Sequence, residues 1–448
     1  MSPTVTVPQA HRHTLDNGLR VVVIPDHTTP VAAVHLTYLV GSRDERPGRT
    51  GFAHLFEHLM FHGSEHVEGG ELVAALGEAG AAPNAATSFD WTAYHEAVPV
   101  GALELALWFE ADRMGGMLTS LDQPLLDNER DVVKNERRQE VESRPFGTAW
   151  EELLAALFPT GHPYSWMPIG SMADIDAAEL ADVHEFFATH YGPNNCVLTI
   201  AGDVTPERGV ELAERYFGAI PRNPRVPTTT PTHLGPGTAE VRLEAAEPGP
   251  VPAVLALYRG PGELTDEAVA IAVASEILAG GNASRLVGRL VRREQVAQSI
   301  DCGLVPFHGD VTAISLGGYL TGAGTTEDFE RIRDEEITRL AAEGPDAEEV
   351  ARAVARLERA LWEEISEVEG LAAFWGEAEA FRPGCDPITE ALHRLAAVTA
   401  DGVREAVATW LVPANRVVLV YRADDQADEQ ADEHEHEHDT DGSEQEHP

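Results

Sequence analysis

FATHYGPNNCVLTIAG, residues 187–202, and VATWLVPANRVVLVYR, residues 407–422, decide the architecture. Each reads as the end of a helix, a turn built on Pro and Asn, and an apolar strand. A unit that returns at about half the chain length implies two related α+β domains facing each other across a cleft, because solenoid repeats are far shorter. The stretch PRNPRVPTTTPTHLGPG, residues 221–237, separates the copies and carries no hydrophobic period, as a linker should. The expected division is a first domain over 1–221, a Pro/Thr-rich linker over 222–238, a second domain over 239–422 and an acidic, His-rich tail over 423–448. The tail has no apolar residue except alanine, so it cannot offset its ordering entropy and is expected to be disordered. Its His434, His436 and His438 leave two readings open: a loose zinc or nickel site, or a solvating acidic tail.

The chain has 448 residues, 43% hydrophobic and 24% charged, which is ordinary for a globular protein. Its net charge of −43 is not ordinary. Such a field repels phosphates and anionic lipid, which argues against nucleic acid and membrane surfaces as partners and favours cationic peptides. Cys196, Cys302 and Cys385 lie too far apart in sequence for a paired framework or a CxxC site, as expected in a reducing compartment. The N-terminal residues lack an apolar core with basic flanks, and no apolar run approaches the roughly 20 residues of a membrane span, so a cytoplasmic protein is expected.

Locally, the β-branched runs 19–24 and 31–40 read as a strand pair. Helical spacing predicts helices over 50–61, with Gly63 closing it, then over 70–80, 102–117 and 124–143, and alternation predicts a strand over 87–98. On the first of these helices His54 and His58 stand four apart, so both imidazoles project from one face and can reach one metal. Glu57, beside His58, is badly placed as a ligand but well placed to take a proton from a water on the metal. A third ligand is available from the 124–143 helix as Glu136, with Glu129 two turns earlier on the same face, behind the site. A surface helix merely rich in His and Glu reads the same way, since the chain has 19 histidines. His62 and His66 continue the spacing as another pair. Gly63 argues against His66, and no glutamate holds the equivalent place beside His62.

GFAHLFEHLMFHGS, residues 51–64, closely resembles the inverted zinc signature of the pitrilysin or insulinase-like (M16) metallopeptidases. NAATSFDWTAY at 84–94 resembles that family's Asn-Ala-x-Thr strand, and ERDVVKNERRQ at 129–139 resembles its third-ligand helix, with Glu136 following His58 by 78 residues. Gly202-Asp203, Tyr216-Phe217-Gly218 and GGNASRL at 280–286 fit as well, so the resemblance covers nearly the whole chain except the tail. It implies two similar α+β domains, each a mainly antiparallel sheet packed with helices, and places the chain with short members resembling mitochondrial processing peptidase subunits, which work as dimers. It further implies that His54, His58 and Glu136 bind Zn2+, that Glu57 is the general base and that Glu129 supports the site. The 87–94 strand would lie beside the metal, with Asn84, Ala85 and Thr87 binding a peptide that pairs by strand addition.

One departure concerns the substrate clamp. Many members carry an arginine, and a tyrosine seven residues later, beyond the Gly-Gly-x-x-Ser-Arg-Leu motif, to hold substrate and oxyanion. Here Val291 and Gln298 stand there; Arg292 or Arg293 would serve only if the register slips. The resemblance therefore implies a related partner subunit that supplies the pair, as a heterodimer, or else a homodimer. A non-catalytic scaffold of the same fold and a metal-binding role for the tail are the alternatives. Asn84 either bonds a substrate carbonyl or closes a turn. Ser284 and Arg285 suit a helix start, and Trp91, Trp108, Phe109 and Trp150 suit a core.

Overall fold

The computed structural model describes residues 9–228, 233–245, 249–308 and 310–423. The tail beyond 423, with its histidines, lies outside the described residues. The first sheet contains β1 (His11–Thr14), β2 (Arg20–Pro25), β3 (Val31–Tyr38), β4 (Asn84–Thr87), β5 (Thr92–Pro99) and β6 (Cys196–Gly202), in the order β1-β2-β6-β3-β5-β4. The second contains β7 (Val241–Glu244), β8 (Ala253–Gly260), β9 (Ala297–Phe307), β10 (Val311–Leu320) and β11 (Arg416–Tyr421), in the order β7-β11-β8-β10-β9. Each sheet has one parallel pair, β2 with β6 and β7 with β11, and is otherwise antiparallel.

The repeat extends to single hydrogen bonds. In the first copy a helix, Leu180–His190, ends before Pro193, and Asn195 Nδ2 donates to His190 O (2.8 Å) and Leu39 O (3.1 Å). In the second the helix Ala400–Trp410 ends before Pro413, and Asn415 Nδ2 donates to Trp410 O and Arg259 O, both at 2.7 Å. Each asparagine satisfies the last carbonyl of its helix and ties it to a neighbouring strand, the accounting that a buried helix end requires.

Two local expectations need correction. The 19–24 and 31–40 runs are strands, but β6 lies between them, parallel to β2 and antiparallel to β3. Both runs are buried on both faces, so each needs a neighbour on either edge, and an entirely buried β6 supplies it. The single strand expected over 87–98 is a hairpin: β4 ends at Thr87, Ser88 N bonds Trp91 O (2.8 Å), and β5 starts at Thr92. The turn is fixed by Asp90, 3% exposed, which accepts from Arg43 (2.7 Å) and Tyr164 (2.6 Å). Of the aromatic residues assigned to a core, Phe109 is buried and Trp91 and Trp108 are half-buried, whereas Trp150 is exposed. The described cysteines are free, Cys196 buried and the other two partly so. No helix among the described residues is long and apolar enough to cross a membrane.

The halves interlock by exchanging helices. Ala149–Leu157, from the first half, lays Leu153, Leu154 and Leu157 on the second sheet against Ala253, Leu257 and Leu419. Val368–Phe381, from the second, covers the first sheet, packing Leu371, Ala372 and Trp375 on Val22, Ala33 and Val197. Gly376 permits the approach, since a Cβ there would come within 2.9 Å of Thr37 Oγ1 and 3.0 Å of Thr199 Oγ1.

His308 joins the halves. Its backbone N–H donates to Asp90 Oδ2 (3.1 Å), its ring lies 2.8 Å from Glu263 and 3.1 Å from Glu377, and it stacks on Phe381. Burial lowers its pKa, but the two carboxylates outweigh burial and raise it to about 9. A folded value above the unfolded 6.5 means the contribution is fully present below pH 6.5, shrinks between 6.5 and 9, and is gone above 9. The difference corresponds to roughly 3 kcal/mol. Melting curves should therefore show the parent losing Tm across that window and His308→Gln losing much less; parallel pH profiles would contradict the assignment.

Candidate metal centre

Two helices and one hairpin build the site. The helix Phe52–Leu59 buries Phe52, Leu55, Phe56 and Leu59, which leaves His54, Glu57 and His58 half-buried on its other face. The helix Gln123–Arg137 is started by Asp122, whose side chain accepts from Leu125 N (2.9 Å), and has Pro124 in its first turn. It continues through a π-type turn, Arg138–Glu142, so the helix expected over 124–143 changes type near its end. Its buried stripe of Leu126, Glu129 and Val133 turns Glu129 and Glu136 towards the histidines.

His54 Nε2 lies 3.7 Å from Glu136 Oε1, and His58 Nε2 lies 3.2 Å from Glu136 Oε2; the His54 and His58 rings meet edge to face at 4.8 Å. One donor atom from each of the three residues falls within 4.8 Å of the others, the one such grouping among the described residues. Donors held about 2.0–2.2 Å from a tetrahedral ion stand roughly 3.3 Å apart, close to these separations. Glu136 Oε2 is buried 3.2 Å from His58 Nε2, and His54 Nδ1 is buried without a partner. Two imidazoles from one helix and a carboxylate from another, converging on one point, fit a divalent ion, with a fourth position left for substrate or water. Burial, assisted by His58, lowers His54 to about 4, so it offers a neutral imidazole. The His58 imidazole beside it holds Glu136 below the usual carboxylate range.

Glu57 Oε2 accepts from Thr87 Oγ1 at 2.6 Å. Burial raises the Glu57 pKa, with Thr87 and His58 opposing and Glu136 assisting. Thr87, expected among the peptide-binding residues, thus also orients the base. Glu129 is 2% exposed and 3.7 Å from His58 Nδ1, behind the site as expected, but its nearest imidazole is His62, at 2.7 Å. Asn128 adds a bond at 3.0 Å. His62 is therefore no rival ligand of the trio; it holds the glutamate that backs His58. Continued i+4 spacing was its only signal in sequence. His66 pairs with Asp112 instead.

β4 is an edge strand, bonded to β5 from Asn84↔His95 to Thr87↔Thr92. Asn84 is exposed with its Oδ1 bonded to Ala85 N (2.9 Å), Ala85 is half-buried, and the outer edge of β4 has no partner strand among the described residues. In the second half Val291 packs against that domain's core and Gln298 is exposed on β9. Ser284 bonds Gly281 O (2.7 Å) and Arg285 pairs with Glu349, both structural roles.

The family model described as Insulinase (Peptidase family M16) matches residues 20–164, and that described as Peptidase M16 inactive domain matches 177–357. A zinc protease of Helicobacter pylori is 32% identical over 297 residues, 65% of this chain and 66% of its own length. An uncharacterized zinc protease of Mycobacterium leprae is 30% identical over 344 residues, 74% of each chain. The crystal structure of a protease from Helicobacter pylori superposes with a TM-score of 0.85 at 23% identity, over 93% of this chain and all of that one.

Proposed function

The chain belongs to the insulinase (M16) peptidase family, and on that premise we propose that it is a zinc-dependent endopeptidase whose ligands are His54, His58 and Glu136 and whose general base is Glu57. The observation that carries this reading is the convergence of the three donors beside a glutamate braced by Thr87. Every member of that set lies in the 20–164 match, so the inactive-domain description of the second half takes nothing from it.

Zinc, when bound, supplies Lewis acidity: it polarises the scissile carbonyl and makes an attacking water acidic near neutral pH. Glu57 takes the proton of that water and returns it to the leaving amine. Thr87 donates to Glu57 Oε2 and so holds the carboxylate beside the trio. Glu129, between His62 and His58, orients His58. The outer edge of β4 offers backbone N–H and C=O groups to an extended peptide, which fits broad specificity for unfolded segments. The acidic surface favours basic ones.

Val291 has no hydrogen-bonding side chain and packs on the core, and Gln298, exposed on β9, has neither the charge of an arginine nor the hydroxyl of a tyrosine, so the clamp is expected from a second, related subunit. Hydrolysis of a mixed peptide library should be weak for the zinc-loaded chain alone and rise about 10²–10³-fold when a related chain lacking the metal motif is added, the scale of restoring one transition-state contact. Full activity of the chain by itself would contradict the need for that partner.

A further inference from the structure

The helix that carries His54, Glu57 and His58 has eight residues, and an isolated helix that short is marginal in water. Its first N–H groups need acceptors, yet the capping position holds Gly51, which has no side chain to offer. Gly51 cannot be exchanged for Ser or Asp: its φ is +86°, and a Cβ would lie 2.9 Å from Ile169 O and 3.1 Å from Gly170 Cα. The acceptor comes from upstream. Glu45 Oε1 accepts from Ala53 N (2.8 Å), and Oε2 accepts from Gly51 N (3.0 Å) and Trp166 Nε1 (3.1 Å). Ala53 directly precedes His54, so the contact acts on the turn that aims the first imidazole.

The same segment grips the peptide-binding hairpin. Ser42 N donates to Ser88 O (3.2 Å), Arg43 N donates to Phe89 O (2.8 Å), and the Arg43 side chain pairs with Asp90. Gly41 lets the strands approach, since a Cβ there would lie 2.5 Å from Phe89 O. Residues 88–90 form the turn that follows Thr87, the residue bonded to Glu57. Five consecutive residues, 41–45, thus touch the start of the metal-binding helix at one end and the base of the substrate strand at the other.

We propose that Glu45 is a positioning residue for the metal centre: by fixing the histidine helix against the β4–β5 turn it sets His54 and His58 relative to Glu136, and Glu57 relative to Thr87. The inference rests on the metallopeptidase reading above. The test is zinc affinity of the full chain, measured by competition with a chromophoric chelator, with kcat, KM and the Tm of the metal-stripped protein measured alongside. Glu45→Gln keeps the shape and one good acceptor, and should raise the zinc Kd about 10-fold; Glu45→Ala should raise it towards 100-fold. kcat should fall in both while KM stays within about twofold. A cap that serves stability alone would lower the stripped protein's Tm and leave the zinc Kd of the folded variant unchanged, and that result in Glu45→Gln overturns the inference even if Glu45→Ala does not fold. Should the parent bind zinc and cleave no peptide even with a related partner chain added, the hydrolysis reading fails, while the affinity series still decides the role of Glu45.

Discussion

Replacing Glu57 by glutamine should leave zinc bound and lower kcat for peptide hydrolysis by about 10²–10⁴-fold, the range supplied by a positioned general base. Glutamine matches glutamate in shape and still accepts the 2.6 Å bond from Thr87 through its carbonyl, so the helix, hairpin and ligand trio are undisturbed. What it loses is the capacity to take a proton. The loss should therefore fall on kcat, with KM nearly constant and metal content equal to the parent's. Equal turnover in parent and variant would remove Glu57 from the reaction. A variant that lost both zinc and activity would make Glu57 a ligand, contrary to its bonding to Thr87 and to its position beside His58 in sequence.

His58→Ala has the largest expected effect on the metal itself. It leaves His54 and Glu136, two donors where a catalytic zinc site uses three. The affinity should fall by more than the roughly 10–100-fold that follows from losing an outer partner. His62→Ala is the matched control: it sits four residues further on and contacts Glu129 rather than the trio, so its cost should stay inside that range. Zinc retained by His58→Ala after challenge with a chelator would show that the ion sits elsewhere.

What could be read from sequence was whatever depends on local spacing. His54 and His58 share a face because they are four apart on a helix, and Glu129 and Glu136 because they are seven apart; neither depends on the rest of the fold. Asn195 and Asn415 revealed the repeat for the same reason, since a helix stop and the strand after it are neighbours in sequence. What escaped was anything set by a distant partner. β2 and β3 carry no mark of the strand that separates them, and the apolar face with Leu371 and Trp375 does not say which sheet it covers. The break at residues 88–91 was hidden because Phe89 and Trp91 continue the apolar alternation, while Asp90, the residue that fixes the turn, pairs with Arg43 and Tyr164 far away in sequence. Glu45 was missed because capping rules look at the first helical positions, and there the chain needs Gly51.

With zinc held by this trio and Glu57 beside it, the protein should cut internal peptide bonds. The most direct measurement is mass-spectrometric mapping of cleavages in a mixed peptide library by the metal-stripped chain, with and without added zinc and a related partner chain, using Glu57→Gln as the blank. Internal cleavages should appear only with zinc, vanish again with chelator and be absent from the blank. Cleavage that ignores zinc and Glu57, or no cleavage under any of these conditions, would contradict that assignment.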